Sequence, residues 1–273
     1  MNNALLLIAL SVLSFGLSAF GQASPDRSEY PTPTVREEQI IVVDGQREIW
    51  RLEWKDIPNP DCGLTDTDGS LNCPCIGFAY GEGGDLSLVR LRRGYEIDRL
   101  RLTPLFTEQD RAVVQRWLPD YNQDFRLVDR ANFAVTIKKR PSVQVMHFAD
   151  YDHDGRATEF YLQTEALPCG KSVGVVIGVS TNDPSLHVFG TASSPNKTLY
   201  LQQREWEAIR KARSGPVSIV DWSCGDHAAD TQTELQLNWS HEGINGIRRE
   251  YTCPENGGSR RLVKEAPLSA AEN

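Results

Sequence analysis

The chain has 273 residues, of which 29 are Lys or Arg and 37 are Asp or Glu, so its formal net charge at neutral pH is −8. Hydrophobic residues make up 40% of the chain and charged residues 24%. These values are typical of globular proteins and exclude a collagen-like chain, a fully disordered chain and a polytopic membrane protein. The negative charge argues against a nucleic-acid partner, because such proteins need a basic surface that displaces counterions.

The amino terminus has the pattern of an export signal. Residues 1–23 carry no charged side chain, and a mostly apolar run extends from Ala4 to Phe20. Small residues follow, so we predict a signal peptide at 1–23 that is cleaved after Gly21 or Ala23. An uncleaved anchor is the alternative, since about 17 apolar residues is the lower limit for a spanning helix. No later stretch is long and apolar enough to span a bilayer, so we expect a secreted or periplasmic protein with no membrane span after cleavage.

The rest of the chain divides by composition into a linker, a globular region and a tail. Segment 24–37 contains three prolines and is predicted to be an extended linker. Residues 38–264 are predicted to form a β-rich globular domain, with a subdivision allowed near 120–140, because roughly 225 residues suffice for one large domain or two small ones. The polar segment 265–273 is predicted to be a disordered tail.

Short strands dominate the predicted elements. Asp44-Gly45 lies between two β-prone runs, 39–43 and 47–54, and this dipeptide is a strong signal for a tight hairpin turn. Alternating or continuous apolar runs predict further strands at 76–80, 86–91, 97–102, 134–138, 142–148, 158–164, 173–179, 186–189, 218–222, 234–239 and 247–252.

Two short helices interrupt the predicted strands. The first is predicted to begin at Thr107, which approximates a capping box with Asp110, and to end at Pro119. The second is predicted over 203–212, where Glu207 and Lys211 form a favourable i,i+4 pair. The expected fold class is therefore α+β and β-rich, mainly an antiparallel sheet with two short helices packed on it.

Six cysteines fit an exported protein that is stabilised by disulfide bonds. An even number of cysteines outside the cytoplasm indicates disulfides, and six allow 15 pairings. Cys62 is expected to pair with Cys73 or Cys75, and Cys224 with Cys253. A structural zinc site is the alternative, but the chain lacks the paired C-x(2–4)-C spacing that such sites use.

Five arginines form a basic cluster on two predicted strands. They are Arg90, Arg92, Arg93, Arg99 and Arg101. The simpler interpretation is a solvated sheet face, and the alternative is a site for anions or acidic glycans.

A single segment, beginning at residue 150, has a pattern that carries chemistry. Asp150, Asp152 and Asp154 alternate, and Gly155 follows at once. Three like charges in one tight loop repel each other, whereas Ca²⁺ takes several carboxylate oxygens as ligands. The pattern therefore predicts a structural Ca²⁺ site. The alternative is a solvated turn in which Asp and Gly only serve the backbone geometry.

Two further residues complete the predicted Ca²⁺ site. In loops of this kind the residue after the glycine contributes its carbonyl oxygen, here Arg156, and a later carboxylate closes the shell, here Glu159. His153 lies between two of the aspartates and is expected to point to solvent.

The loop resembles the D-x-D-x-D-G calcium loops of EF-hands and, more closely, those of FG-GAP and VCBS repeats. An EF-hand needs flanking helices and Glu at loop position 12, which is Tyr161 here. FG-GAP loops lie between strands and use a carboxylate at position 9, which is Thr158 here, with Glu159 one position later. The resemblance covers about 14 residues and does not recur along the chain, so it implies neither a propeller nor adhesion. The whole chain also resembles exported bacterial proteins, which implies no activity.

The sequence therefore leads to two functional hypotheses. The first is an exported, disulfide-stabilised, Ca²⁺-binding protein without enzymatic activity, which serves as a binding or structural module for an extracellular or periplasmic ligand that the sequence does not identify. The second is a secreted hydrolase that acts on glycans or peptides through a carboxylate pair, whose members cannot be chosen without their separation in space. No catalytic residue is assigned.

Overall fold

Four antiparallel sheets make up the described part of the chain. The computed structural model describes residues 32–61, 80–107, 110–118, 120, 135–136, 139–167, 171–195, 197–212, 215–225, 229–240, 243–254 and 258–268. From Thr32 onward the chain forms one compact unit. The predicted signal peptide and most of the region near 120–140 lie outside the described residues.

Fifteen strands and one α-helix have full bounds within the described residues. In chain order, β1–β15 span Thr34–Val43, Gln46–Trp54, Asn59–Asp61, Gly81–Gly84, Leu86–Arg92, Tyr95–Arg101, Ala112–Gln115, Glu159–Leu167, Lys171–Gly178, His187–Val188, Leu201–Gln202, Val217–Trp222, Thr231–Ser240, Gly243–Thr252 and Leu262–Pro267. Helix α1 spans Gln203–Lys211, and Thr103–Leu105 forms a 3₁₀ turn.

The strands pair mostly with close neighbours in the sequence. The first sheet has the order β1-β2-β5-β6, and the second has the order β3-β4-β7. In the third sheet β9 pairs with β8 on one side and with both β10 and β11 on the other. The C-terminal sheet has the order β12-β13-β14-β15. The β-rich antiparallel class predicted from the sequence is confirmed in this coarse form.

The first hairpin forms where the sequence predicts it. Asp44 and Gly45 have φ angles of 50° and 74°, as a type I′ turn requires, and this turn matches the twist of the flanking strands. In β2 the alternate residues Trp50, Leu52 and Trp54 are buried, so one face of the hairpin lies on the core.

Strand β9 contributes to two separate apolar clusters. Val175 and Ile177 belong to the cluster that also holds Trp50 and Phe160, whereas Val176 belongs to a second cluster around Trp206. A strand that is covered on both faces needs a continuous apolar run instead of an alternating one, and residues 173–177 satisfy this requirement.

Helix α1 confirms the second predicted helix. The Glu205 carboxylate accepts the backbone N–H of Gln202 at 2.8 Å, which caps the first turn. Lys211 Nζ lies 3.2 Å from Glu207 Oε2, as the i,i+4 spacing predicts. The helix packs on β9, where the Trp206 indole N–H donates to the Gly174 carbonyl at 3.1 Å.

The predicted helix from Thr107 to Pro119 is wrong. Residues Ala112–Gln115 form strand β7, in which Val114 pairs with Glu82 of β4. Two adjacent valines fit a strand well, and an available antiparallel partner outweighs the weak helical pattern. The fold therefore has one of the two predicted helices.

Two predicted strands also differ from the structure. Residues 142–148 form no ladder. The Glu37 carboxylate instead accepts the backbone N–H groups of Val145 at 2.6 Å and Met146 at 3.1 Å, so a side chain takes the place of a partner strand. Within the predicted strand 134–138, the two described residues, Val135 and Thr136, are helical.

The folded region extends past both of its predicted boundaries. Strand β1 begins at Thr34, within the segment predicted as linker, and β15 ends at Pro267, within the predicted tail. Cys224 and Cys253 lie at disulfide-bonding distance, with their Cα atoms 5.5 Å apart, which confirms the pairing favoured for them. The other four cysteines lie outside the described residues, so their pairing stays a prediction. Among the described residues no helix is both long and apolar enough to cross a membrane.

Candidate metal centre

The aspartate-rich segment forms a closed loop at the start of β8. We refer to residues 150–156 as the Asp loop. Ala149 and Glu159 exchange two backbone hydrogen bonds across its base, with N–O distances of 2.8 and 3.3 Å. Gly155 has φ 89° and His153 has φ 59°, and these left-handed conformations turn the chain back on itself. Neither flank is helical, so the loop differs from an EF-hand in its surroundings.

Three carboxylates meet at this loop. Asp150, Asp152 and Glu159 each place an oxygen within 4.8 Å of the oxygens of the other two. Oxygens that bind one Ca²⁺ at about 2.4 Å cannot be more than about 4.8 Å apart. The group therefore has the spacing that a single cation of this size requires, and its donors are all oxygen atoms.

Backbone hydrogen bonds hold two of these carboxylates in place. Asp150 Oδ2 accepts the Gly155 N–H at 3.1 Å, and Asp152 Oδ1 accepts the Asp154 N–H at 3.0 Å. Such bonds from a side chain to a nearby backbone amide favour tight turns over strand pairing. The alternating aspartates therefore shape the loop as well as supplying its charge.

Glu159 is the most deeply buried member of the group. It is 0% exposed. Its two oxygens accept hydrogen bonds from the Thr158 hydroxyl at 2.6 Å and from the Tyr151 N–H at 2.9 Å. Asp150 Oδ1 is also buried and has no hydrogen-bond partner among the described residues. A buried carboxylate oxygen without a partner destabilises the fold, and a bound cation removes that penalty.

Burial and mutual repulsion shift the titration of this group. Burial raises the pKa of Glu159 to about 8, hydrogen bonds from Thr158 and Tyr151 oppose that shift, and the Asp152 charge adds to it. Burial likewise raises the pKa of Asp152 to about 6, and the neighbouring aspartates add to that effect. An adjacent cation favours the ionised forms and so acts in the opposite direction.

Asp154 lies in the same loop but has different partners. Its Oδ2 accepts hydrogen bonds from the Arg156 guanidinium at 2.7 Å and from the Thr181 N–H and hydroxyl, both at 2.8 Å. Burial alone would raise the pKa of Asp154, but the bonds from Arg156 and Thr181 outweigh it and lower the pKa. Arg156 also pairs with Asp44 in the β1–β2 turn. This carboxylate thus fastens the loop to its neighbours.

The structure therefore brings together three of the five predicted site residues. Asp150, Asp152 and Glu159 form the group, whereas the side chains of Asp154 and Arg156 pair with each other. A ligand role for Asp154 or for the Arg156 carbonyl stays a prediction.

The expectation that His153 points to solvent is wrong. Its Nε2 lies 2.9 Å from the Ile209 carbonyl oxygen of α1, and its ring stacks on Trp239 with centroids 4.4 Å apart. Trp239 lies 86 positions further along the sequence, so local patterning gave no signal for this contact.

Four of the five arginines in the cluster pair with neighbouring acids. Arg90 and Arg92 both contact Glu48, at 2.9 and 2.5 Å. Arg99 pairs with Glu53 and Glu96, and Arg101 pairs with Asp85. These contacts argue against the interpretation as an anion site. The predicted solvated face is nevertheless wrong for Arg90, which is only 4% exposed.

Two surface cavities are lined by residues outside the Asp loop. One, of about 360 Å³, is lined by Tyr200 and by residues of β13–β15, and the other, of about 590 Å³, is lined by Lys171, Ser172, Gln202 and residues of α1. Neither is lined by Asp150, Asp152 or Glu159.

Comparison with protein-family models, with curated proteins and with solved structures finds no match to this chain.

Proposed function

We propose that the chain is an exported, non-enzymatic structural or binding protein that uses the Asp loop to bind one Ca²⁺ ion. Asp150, Asp152 and Glu159 are the protein ligands in this proposal. The observation that carries it is the convergence of three carboxylates, one of them fully buried, within the span of a single coordination sphere.

The donor set favours Ca²⁺ over other biological cations. The group contains neither the thiolates nor the imidazoles that zinc and copper prefer. Mg²⁺ requires near-ideal octahedral geometry and keeps several waters, whereas Ca²⁺ accepts irregular carboxylate shells. Extracellular Ca²⁺ modules have dissociation constants of about 0.1–1 mM, and export of this chain is supported by its signal-like amino terminus and by the Cys224–Cys253 pair.

The burial of Glu159 favours a structural role over catalysis. A hydrolase needs two carboxylates that face a cleft where a substrate fits. Glu159 is 0% exposed, and neither of the two cavities is lined by the carboxylate group. A bound cation would instead hold the loop closed at the junction of the two apolar clusters, since Phe148 and Ala149, just before the loop, pack against different clusters.

A calcium titration tests the proposal. The mature protein is treated with EDTA, dialysed, and unfolded thermally at increasing CaCl₂. A site with a dissociation constant of about 0.1 mM, in about 1 mM Ca²⁺, stabilises the fold by about 1.4 kcal/mol, which raises Tm by about 3–5 °C in a domain of this size.

Matched variants identify the residues responsible. Asp152→Asn is expected to abolish the calcium-dependent rise in Tm. Asp183→Asn is the control, because Asp183 also accepts a backbone N–H in a turn, that of Ser185 at 3.0 Å, yet lies outside the carboxylate group. A Tm that does not change up to 10 mM CaCl₂ in the wild-type protein would contradict the proposal.

A further inference from the structure

We propose that cation binding at the Asp loop clamps the carboxyl end of α1 and the Trp239 end of β13 onto the rest of the fold. This inference rests on the proposed cation site, and it assigns to His153 the role of transmitting the state of that site. With such a clamp, the conformational stability of one end of the C-terminal sheet would depend on whether the ion is bound.

Neighbouring residues of the loop face in opposite directions. Asp150 and Asp152 belong to the carboxylate group. Tyr151 and His153, which alternate with them, contact α1 and β13 instead. The Tyr151 ring packs edge-to-face on Trp206, with centroids 6.2 Å apart and planes at 88°. Any change in the backbone at Asp152 is therefore passed directly to the residues on either side of it.

His153 makes two contacts with elements distant in sequence. Its ring lies nearly parallel to the Trp239 indole, at 26° and 4.4 Å, and its Nε2 lies 2.9 Å from the Ile209 carbonyl oxygen. Ile209 is in the last turn of α1, and Trp239 is near the end of β13. One side chain thus joins the Asp loop, the helix and the C-terminal sheet.

The left-handed backbone of His153 makes these contacts sensitive to the loop. A non-glycine residue at φ 59° adopts a sparsely populated conformation that the surrounding structure must enforce. Without a cation, the charges of Asp150 and Asp152 repel each other and oppose the loop closure that enforces it. With a cation bound, the same charges favour closure. The clamp is therefore expected to form more completely in the cation-bound protein.

Other contacts keep the remainder of the C-terminal sheet in place. Leu235 and Leu237 are fully buried in the cluster around Trp206, and β12 pairs with the part of β13 from Thr233 to Leu237. Loss of the cation is thus expected to loosen the Trp239 end of β13 and the end of α1 rather than to detach the whole sheet.

Hydrogen–deuterium exchange of the full mature protein, with CaCl₂ or with EDTA, tests the clamp. Calcium is expected to slow amide exchange about tenfold near Trp239 and in the last turn of α1, and to leave β5 unchanged. His153→Asn removes the ring and keeps a residue type that tolerates positive φ. This variant is expected to bind Ca²⁺ within about tenfold of the wild-type affinity by calorimetry and to lose the calcium-dependent protection.

A second histidine provides a matched control. His187 packs on Phe189 with centroids 4.6 Å apart and contacts a backbone carbonyl, that of Ser185, at 2.9 Å. His187→Asn is expected to retain both calcium binding and calcium-dependent protection. Trp239→Leu removes the same stacking contact from the other side and is expected to behave like His153→Asn.

The outcomes separate this inference from the function on which it rests. Wild-type protein that binds Ca²⁺ without any change in exchange near Trp239 overturns the clamp and leaves the cation site intact. Calcium-dependent protection that persists in both His153→Asn and Trp239→Leu also overturns it. Wild-type protein that binds no Ca²⁺ in calorimetry refutes the cation site and the clamp together.

Discussion

In the absence of calcium, Glu159→Gln is expected to stabilise the protein. At pH 7 the unfolded chain carries an ionised Glu159, whereas the folded chain, in which burial raises the pKa of Glu159 to about 8, keeps it mostly protonated. Glu159 must therefore bind a proton when the chain folds at pH 7. Because pH 7 lies well above the ordinary pKa of 4.5, this protonation lowers the free energy of unfolding by about 3 kcal/mol. Glutamine is neutral in both states and avoids this cost.

The surroundings of Glu159 accommodate glutamine without leaving an unpaired group. The amide oxygen can accept the Tyr151 N–H, as the carboxylate does. The amide NH₂ can donate to the Thr158 hydroxyl, which itself donates to the Val179 carbonyl at 2.9 Å. Both hydrogen bonds of the side chain are therefore kept, and the gain is not offset by an unpaired buried group.

The gain has a defined dependence on pH. Because the pKa of Glu159 is raised in the folded state, its contribution to stability is fully present below about pH 4.5 and is lost as pH rises towards 8. The advantage of Glu159→Gln should therefore be near zero at pH 4.5 and increase up to pH 8. Calcium at 10 mM should remove most of this advantage, since a wild-type site with a dissociation constant of about 0.1 mM then gains about 2.7 kcal/mol and the variant binds the ion weakly.

Urea unfolding in EDTA, at several pH values, measures these differences. Glu165→Gln is the control, because Glu165 lies in the same strand and outside the carboxylate group. If Glu159→Gln is less stable than the wild type at pH 7 in EDTA, or if its advantage does not change between pH 4.5 and 8, the account of an uncompensated buried carboxylate is refuted.

Two further predictions concern the fold away from the loop. Replacing both Cys224 and Cys253 by Ser should lower the free energy of unfolding by about 3–4 kcal/mol, because the cross-link closes a loop of 29 residues. Urea titrations under non-reducing conditions measure this difference. Equal stability of the variant and the wild type would show that the bond does not form. Glu48→Gln should cost about 3 kcal/mol, since it removes the nearest acidic partner of the buried Arg90, which keeps Asp98 at 3.5 Å, and of the partly exposed Arg92. A loss below 1 kcal/mol in the same assay would contradict this.

The elements that were predicted correctly from the sequence are those whose structure is determined by neighbouring residues. Asp44-Gly45 encodes a turn through its own backbone preferences, and α1 carries its own cap and a clear apolar face. Strand β7 depends on β4 as a partner, and residues 142–148 depend on the distant Glu37 carboxylate. Such long-range contacts leave no pattern in the nearby sequence.

In the candidate site, too, local features could be predicted from the sequence and long-range contacts could not. Asp150 and Asp152 were predicted from their spacing, and Glu159 was predicted as the next available acid. Asp154 and its partner Thr181 are 27 positions apart in the sequence. His153 and Trp239, whose rings stack, are separated by even more positions. These contacts decide which aspartate faces the carboxylate group and which fastens the loop, and only the three-dimensional arrangement reveals them.

The position of β9 has a consequence for how the protein melts. Val176 supports one apolar cluster, while its neighbours Val175 and Ile177 support the other. If either cluster unfolds, one face of β9 becomes exposed to solvent, and the other cluster loses the support of that strand. Although the sheets are separate in their hydrogen bonding, most of the chain should therefore lose its structure in a single cooperative step, with only peripheral segments opening earlier.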